Sequence, residues 1–279
     1  MNSAAKTVLI LGGGFGGIVA ACRLRQALPS KHRVILVERE TMHVFAPSLL
    51  WLMIGEREPA AISRPIAALT RRGIEVVRGN IEKIDPARRA VSVNGRELAG
   101  DYLIVALGAE LAPELVPGLA AAGHNFYTLA GAESLRDARL KLNQGRMVVL
   151  VSAMPFKCPG APNEAAMLLE YDCRRRDIRK EVSVDLYTAE PGPMPVAGAA
   201  VSAALRQMIE SKSIGYHPNH AATAVDPNLR RITFANGVNA DFDLLAYIPP
   251  HRAPQPVRDA GMCGEIGWIP VDRETMATK

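Results

Sequence analysis

The chain of 279 residues has no C-x-x-C pair, no zinc-ligand spacing, no membrane-length apolar run and no basic stripe. Its four cysteines, Cys22, Cys158, Cys173 and Cys263, are scattered, which argues against structural disulfides and bound metal; cysteine chemistry here would be catalytic. Residues 1–6 (MNSAAK) lack the charged, apolar and small-residue succession of an export signal. The longest apolar stretch, residues 44–54 (VFAPSLLWLMI), is shorter than the about twenty residues of a bilayer span and is interrupted by Pro47. It reads either as the start of a core helix or as a loop lining an apolar ligand site, where Leu50 and Trp51 would contribute. The densest basic run, residues 174–180 (RRRDIRK), holds an acid and has helical character, so it reads as a solvated helix face and nucleic acid is not expected as a partner. What is present is 48% hydrophobic residues and 33 Lys and Arg against 28 Asp and Glu, the balance of a soluble globular protein with room for two domains. The slight basic excess suits an anionic cofactor or substrate, or an acidic membrane surface.

The most informative stretch is residues 7–20 (TVLILGGGFGGIVA), in which a β-branched apolar run enters Gly12, Gly14 and Gly17 and leaves as a helix. The first glycine permits a tight turn, the second lets backbone approach a pyrophosphate, and the third lets helix and strand pack closely. A second strand, residues 33–37, ends in Glu38, about twenty residues on, where an acidic side chain would hold a ribose hydroxyl. Together they predict a dinucleotide site.

Further along, residues 62–72 read as a helix with Ile62, Ile66 and Leu69 on one face, followed by short strands at 74–78, 81–84 and 90–93 and a hairpin at Asn94-Gly95. The second half repeats the plan. Asp85-Pro86, Asn94-Gly95 and the strand from Asp101 correspond to Asp226-Pro227, Asn236-Gly237 and the strand from Asp243, with Arg88-Arg89 set against Arg230-Arg231. Residues 7–11 likewise match 147–151, before a helix at 163–175 and a strand at 182–188. The expected fold is α/β: two Rossmann-like three-layer dinucleotide-binding domains, each with a small antiparallel β-meander insertion. The expected boundaries are 1–112 for the first domain, 113–146 for a connection, 147–265 for the second domain and 266–279 for a return toward the first.

The copies differ after their first strand. The second has residues 152–162 (SAMPFKCPGAP) where the first has glycines; prolines donate no N–H, and Met, Phe and Lys fill the space a pyrophosphate would need. A second nucleotide cradle is not expected. Cys158 stands there, beside Lys157 and ahead of a helix start at Pro162-Asn163-Glu164, and both a cation and a helix N-terminus favour a thiolate. Cys22 and Cys173 read as structural, Cys263 as a remote candidate to meet Cys158, His124 as a loop residue, and His251 as a substrate contact or a turn former.

These stretches resemble the sulfide:quinone oxidoreductases and the flavin subunit of flavocytochrome c sulfide dehydrogenase, among the two-dinucleotide-domain flavoproteins. The resemblance rests on LILGGGFGG (9–17), VFAPSLLW (44–51), DYLIVALGAEL (101–111), KCPGAPNE (157–164), YTAEPGPMP (187–195), PPHRAP (249–254) and GWIPVD (267–272). It implies FAD held by Gly12, Gly14, Phe15, Gly16, Gly17, Glu38 and Gly108, and catalysis at Cys158, with Glu164 as an acid/base group or a helix-dipole partner. Sulfide and a quinone would be the substrates, at the cytoplasmic side of a membrane to which the protein binds peripherally; a homo-oligomer is compatible with this. Such flavoproteins continue past GWIPVD into a Gly-Asp motif, a partner cysteine and a membrane-binding end, so the chain is expected to be truncated and, as it stands, to bind FAD weakly or not at all. Alternatives are an inactive FAD-binding module, an NADH:quinone-type enzyme or a flavocytochrome-type subunit.

Overall fold

The apolar run Thr7–Leu11 becomes a strand with Leu9, Ile10 and Leu11 fully buried, as expected of a strand covered on both faces. In the computed structural model, which describes residues 4–278, it lies in a four-stranded parallel sheet ordered Glu75–Arg78, Arg33–Glu38, Thr7–Leu11, Tyr102–Val105. Residues 1–3 of the N-terminal segment that lacks an export-signal pattern lie outside the described residues. Alternation sorts the side chains into two cores. Leu9, Leu11, Ile35 and Val37 pack with Val91, Val93 and Val257; Val8, Ile10, Val34 and Leu36 pack with Ala21, Ile66 and Ile74. One face thus carries the antiparallel meander Ile81–Asp85, Ala90–Val93, Arg96–Ala99, and the other the helix Phe15–Ala27.

The second half is built alike. Its parallel sheet runs His124–Asn125, Leu244–Ile248, Gly145–Val151, Val182–Thr188, Gly215–His217, and its meander is Ala222–Asp226, Arg231–Phe234, Asn239–Asp241. Val148, Leu150, Leu245 and Tyr247 meet Val225, Ile232 and Phe234 of that meander. The helix Ala161–Arg175 buries Ala165, Leu169 and Cys173, four residues apart on one stripe. The sequence repeat is therefore a structural one, with a shift of one residue: Arg89 (φ 50°) and Arg230 (φ 52°) share the left-handed turn conformation, so Arg89 pairs with Arg230 and not with Arg231.

The chain divides into two compact units, one comprising the chain up to Val44, Ser63–Glu110 and Arg252 onward, the other Phe45–Ile62 and Leu111–His251. The sequence boundaries stand apart from this partition at residues 45–62, which go with the second unit, and at 252–265, which go with the first. The expected helix over 62–72 is replaced by a short helix Pro59–Ile62, a strand Ser63–Pro65 paired with Met42–Val44, and a 3-10 helix Ile66–Arg72. Pro65 accounts for the break: it has no N–H for a helix and bars the residue before it from helical angles.

Of the two readings of 44–54, the core helix describes most of it. Leu49, Leu50, Leu52, Met53 and Ile54 are buried, while Phe45, Ala46, Pro47 and Trp51 are exposed. Leu50 is thus corrected from a mouth residue to a core residue. The C-terminal end of this run is fastened by Arg139, which donates from Nε to the Met53 carbonyl (3.0 Å) and from Nη2 to the Ile54 carbonyl (2.6 Å), while Nη1 meets Asp172 at 2.6 Å. Asp172 is fully buried, and its second oxygen accepts from Arg175 at 3.0 Å. Removing Arg139 leaves a buried carboxylate and two carbonyls under-compensated, so Arg139→Ala should cost on the order of 3–5 kcal/mol in urea unfolding. A loss no larger than that of Arg206→Ala, which breaks an exposed pair with Glu210, would contradict this.

The basic run also requires correction. The helix ends at Arg175; Arg176 donates to the carbonyls of Arg139 (2.6 Å) and Leu142 (2.9 Å), and Arg179 to those of Val182 and Ser213 (2.7 Å each). These are braces between segments and not a solvated helix face. Among the described residues no helix is long and apolar enough to cross a membrane.

Candidate functional site

In the first unit, Gly12 at φ 99° turns the chain out of Thr7–Leu11 while its N–H bonds the Val37 carbonyl at 2.8 Å. A Cβ on Gly12 would stand 2.6 Å from the Ala106 carbonyl oxygen, and one on Gly17 would stand 1.8 Å from the Gly12 carbonyl oxygen. Both positions demand glycine for the fold itself. Gly14 does not: its backbone is extended (φ −75°, ψ −170°), and a Cβ there meets nothing within 4 Å among the described residues. It faces open space at the start of Phe15–Ala27, a helix with no acidic first turn and no side-chain cap among the described residues. An anion held by that helix end fits this arrangement.

Glu38 closes the turn from below. Its carboxylate accepts from the backbone N–H of Gly13 and, at 2.8 Å, from that of Glu40. Phe15 stands edge-on to His43 (centroids 5.3 Å), whose Nδ1 lies 3.1 Å from the Gly13 carbonyl. Gly16 lies in the first turn of the helix, and Gly108, at φ 67°, follows the strand Tyr102–Val105. All seven residues expected at FAD lie in this unit, and the open start of Phe15–Ala27, with no acid in its first turn, suits a dinucleotide pyrophosphate.

In the second unit, the strand Gly145–Val151 and the helix Ala161–Arg175 are joined by the long loop 152–160. Ser152 anchors its start, with Oγ 2.8 Å from the Ile248 carbonyl. Cys158 is exposed and free, and its backbone is left-handed at φ 59°, a costly conformation for a residue with a side chain. Its carbonyl accepts from the N–H of Ala161 (3.0 Å), the first residue of the helix. Lys157 places its ammonium 5.7 Å from the Tyr127 ring centroid; solvent reaches it, yet the protein around it lowers its pKa against the pull of Cys158. Tyr127 Oη donates to the Lys157 carbonyl at 2.8 Å. His251 is buried, its ring edge-on to Tyr127 (5.8 Å) and its Nδ1 2.8 Å from the Pro249 carbonyl, which can only accept. Nδ1 therefore carries the proton. Nε2 is buried with no hydrogen-bond partner among the described residues, and burial, with Lys157 adding to it, keeps the pKa of the ring low.

Glu164 is exposed in the first turn of Ala161–Arg175, where its charge complements the helix dipole. Cys173 is buried and its thiol is pushed up to about 11 by burial, which leaves it inert. Cys22 and Cys263 are partly buried against apolar cores of the first unit, and all four cysteines are free. His124 is corrected from a loop to an edge strand, with Nδ1 2.8 Å from Ser134 Oγ. Among the described residues no cluster of His, Cys, Asp and Glu could hold a metal. A cleft of about 550 Å³ lined by His124, Asp137, Lys141, Arg230 and Asp243 lies at the amino ends of its parallel strands, the wrong end for a ligand site in such a sheet.

Two residues escaped the sequence reading. Tyr127 carries no signal there. Glu190 does: it is the acid that follows Val182–Thr188, one position beyond the place of Glu38, since Thr188 pairs with Val151 as Val37 pairs with Leu11. It is buried beside Thr188 and its carboxyl is pushed up to about 7 by burial. Because its folded pKa exceeds the ordinary 4.5, the unfolded chain ionises first, and stability should fall as pH rises from about 4.5 to about 7. At about 1.4 kcal/mol per pKa unit this amounts to on the order of 3 kcal/mol. Urea midpoints at about pH 5 and about pH 8 should differ less in Glu190→Gln than in the native protein; equal differences would contradict the buried acid.

The sequence profile of the pyridine nucleotide-disulphide oxidoreductases matches residues 6–279. The sulfide-quinone reductase of Aquifex aeolicus is 30% identical over 270 residues, covering 92% of this chain and 61% of that protein. The mitochondrial sulfide:quinone oxidoreductase of Mus musculus is 25% identical over 287 residues, covering 98% and 62%. The X-ray structure of the Aquifex aeolicus sulfide:quinone oxidoreductase superposes with a TM-score of 0.83 at 27% identity, over 94% of this chain and 63% of that one. The chain thus spans a little under two thirds of the length of these relatives.

Proposed function

The chain belongs to the pyridine nucleotide-disulphide oxidoreductase family, and on that premise we propose that the protein oxidises sulfide at Cys158 and delivers the electrons through FAD to a quinone. The observation that carries the reading is the exposed, free Cys158, set on strained backbone in the loop that stands where the repeat's other copy has its glycine turn. That loop carries Met154, Pro155 and Phe156 in place of the glycines of the first copy, and Pro155 has no N–H to donate, which favours a donor other than NADH.

The glycine turn binds the cofactor: Gly12 and Gly17 hold strand and helix together, Gly14 leaves room for the pyrophosphate, and the N-terminus of Phe15–Ala27 faces its charge. Gly13 and Glu38 fix the turn, and the remaining acceptor capacity of Glu38 suits a ribose hydroxyl. Gly16 and Phe15 shape the helix entry, and Gly108 lets the chain after Tyr102–Val105 pass close to the cofactor. FAD, when bound, supplies a two-electron carrier between a thiol and a quinone.

Hydrosulfide loses two electrons overall as its sulfur becomes the outer atom of a persulfide on Cys158, and the quinone gains those two electrons with two protons. Lys157 offers the positive charge that draws the anion to the loop, and Glu164 completes the helix start behind it. On the acceptor side, Phe45 and Trp51 are the exposed aromatics of residues 45–54 and suit the apolar ring of a quinone at a membrane surface. The test is sulfide-dependent reduction of a short-chain quinone by the FAD-loaded protein. Turnover with sulfide supports the reading; no turnover from a stoichiometrically loaded protein overturns it.

A further inference from the structure

Tyr127 is tied to Cys158 by contacts that the reaction as proposed does not use. Its hydroxyl donates to the Lys157 carbonyl at 2.8 Å and lies 3.4 Å from the Cys158 carbonyl. Its ring faces the Lys157 ammonium at 5.7 Å, so one side chain holds both the backbone and the charged end of Lys157. Burial, followed by the charges of Cys158 and Glu190, raises the phenol pKa, and the hydroxyl stays a donor throughout the working range.

The ring is itself held. His251 stands edge-on to it at 5.8 Å, and Phe126, fully buried, does the same from the other neighbour position at 5.4 Å. The imidazole is fixed in turn by its bond to the Pro249 carbonyl. The result is a continuous strut, Pro249 to His251 to Tyr127 to the 157–158 backbone, that ends on a residue in left-handed conformation. Backbone of that kind persists only where its surroundings over-determine it. Among the described residues the Ala161 N–H and the Tyr127 hydroxyl bond the carbonyls of residues 157–158, and Asn163 Nδ2 holds the next carbonyl, that of Pro159, at 3.1 Å.

We propose that Tyr127, braced by His251, is a positioning residue for Cys158: it holds the Cys158 backbone in its strained conformation and keeps the Lys157 charge beside the thiol. The proposal rests on the reading of Cys158 as the sulfide-reactive residue. The hydroxyl's share belongs in the rate of the chemical step, because it orients the loop and does not touch the anion; the ring's share, through Lys157, also belongs in sulfide capture.

The experiment follows FAD bleaching by sulfide under anaerobic single-turnover conditions, with sulfide varied, in the native protein, Tyr127→Phe, Tyr127→Leu and His251→Phe. Tyr127→Phe removes the hydroxyl and keeps the ring; it should slow the limiting rate roughly tenfold, the worth of one hydrogen bond, with the half-saturating sulfide concentration unchanged. Tyr127→Leu, which also loses the ring over Lys157, should be slower still. His251→Phe keeps an edge-on ring and should fall between native and Tyr127→Phe. A native limiting rate in Tyr127→Phe overturns the proposal. So does a loss that appears only as lower thermal stability, with the rate per folded, FAD-loaded molecule unchanged. The underlying reading fails separately, by undiminished sulfide bleaching in Cys158→Ser.

Discussion

Gly14→Val is expected to abolish FAD binding while leaving the protein folded. The usual difficulty with glycine-motif variants is that loss of ligand and loss of fold look alike. Here the two separate by position. At Gly14 the backbone is extended and a Cβ meets no described atom within 4 Å, so valine fits the apo structure but stands where a pyrophosphate would approach. At Gly17 the same Cβ would lie 1.8 Å from the Gly12 carbonyl oxygen, which no rearrangement short of parting helix and strand can relieve. Gly14→Val should therefore keep the native circular dichroism and melting temperature and lose at least about a hundredfold in FAD affinity, on the order of 3 kcal/mol. Gly17→Val should lose solubility or melt early whether or not FAD is added. Stoichiometric flavin in purified Gly14→Val would remove the site from this turn.

Cys158→Ser should bind FAD as the native protein does and fail to be reduced by sulfide. Serine is nearly isosteric and inherits the left-handed backbone, so neither the loop nor the Tyr127 bond to Lys157 is disturbed. What disappears is a sulfur able to carry a second sulfur, and a hydroxyl cannot substitute for it in thiol–disulfide exchange. The reduction rate should fall by three orders of magnitude or more, about 4 kcal/mol of barrier. Ordinary sulfide-dependent bleaching in this variant would return Cys158 to the status of a surface cysteine.

The parallel strands were legible because they are short, apolar and bounded by turn residues, and the repeat because Asp85-Pro86 and Asp226-Pro227 open the same left-handed turn in both meanders. The glycine turn and the cysteine loop were legible by contrast with each other. What stayed hidden depends on partners far along the chain. Arg176 and Arg179 look like solvent-facing charges until the carbonyls of residues 139, 142 and 213 are in place to receive them. Residues 45–62 read as an appendage of the first domain, whereas Arg139, about 85 positions away, ties residues 53–54 into the second. The helix over 62–72 failed for a local reason: its apolar spacing was right, but Pro65 interrupts the bonding that spacing alone cannot reveal. Tyr127 could not have been found, since its role is a hydrogen bond to two carbonyls.

The central claim is that electrons enter through Cys158 from sulfide and not from a nicotinamide. Its most direct test is anaerobic stopped-flow mixing of the FAD-loaded protein with sulfide in one syringe and NADH in the other experiment, followed at the flavin absorbance. The account predicts rapid bleaching by sulfide and none at a useful rate by NADH, because the loop 152–160 carries Met154, Pro155 and Phe156 in place of the glycines of the first copy. Bleaching by NADH as fast as by sulfide, or by NADH alone, would contradict it.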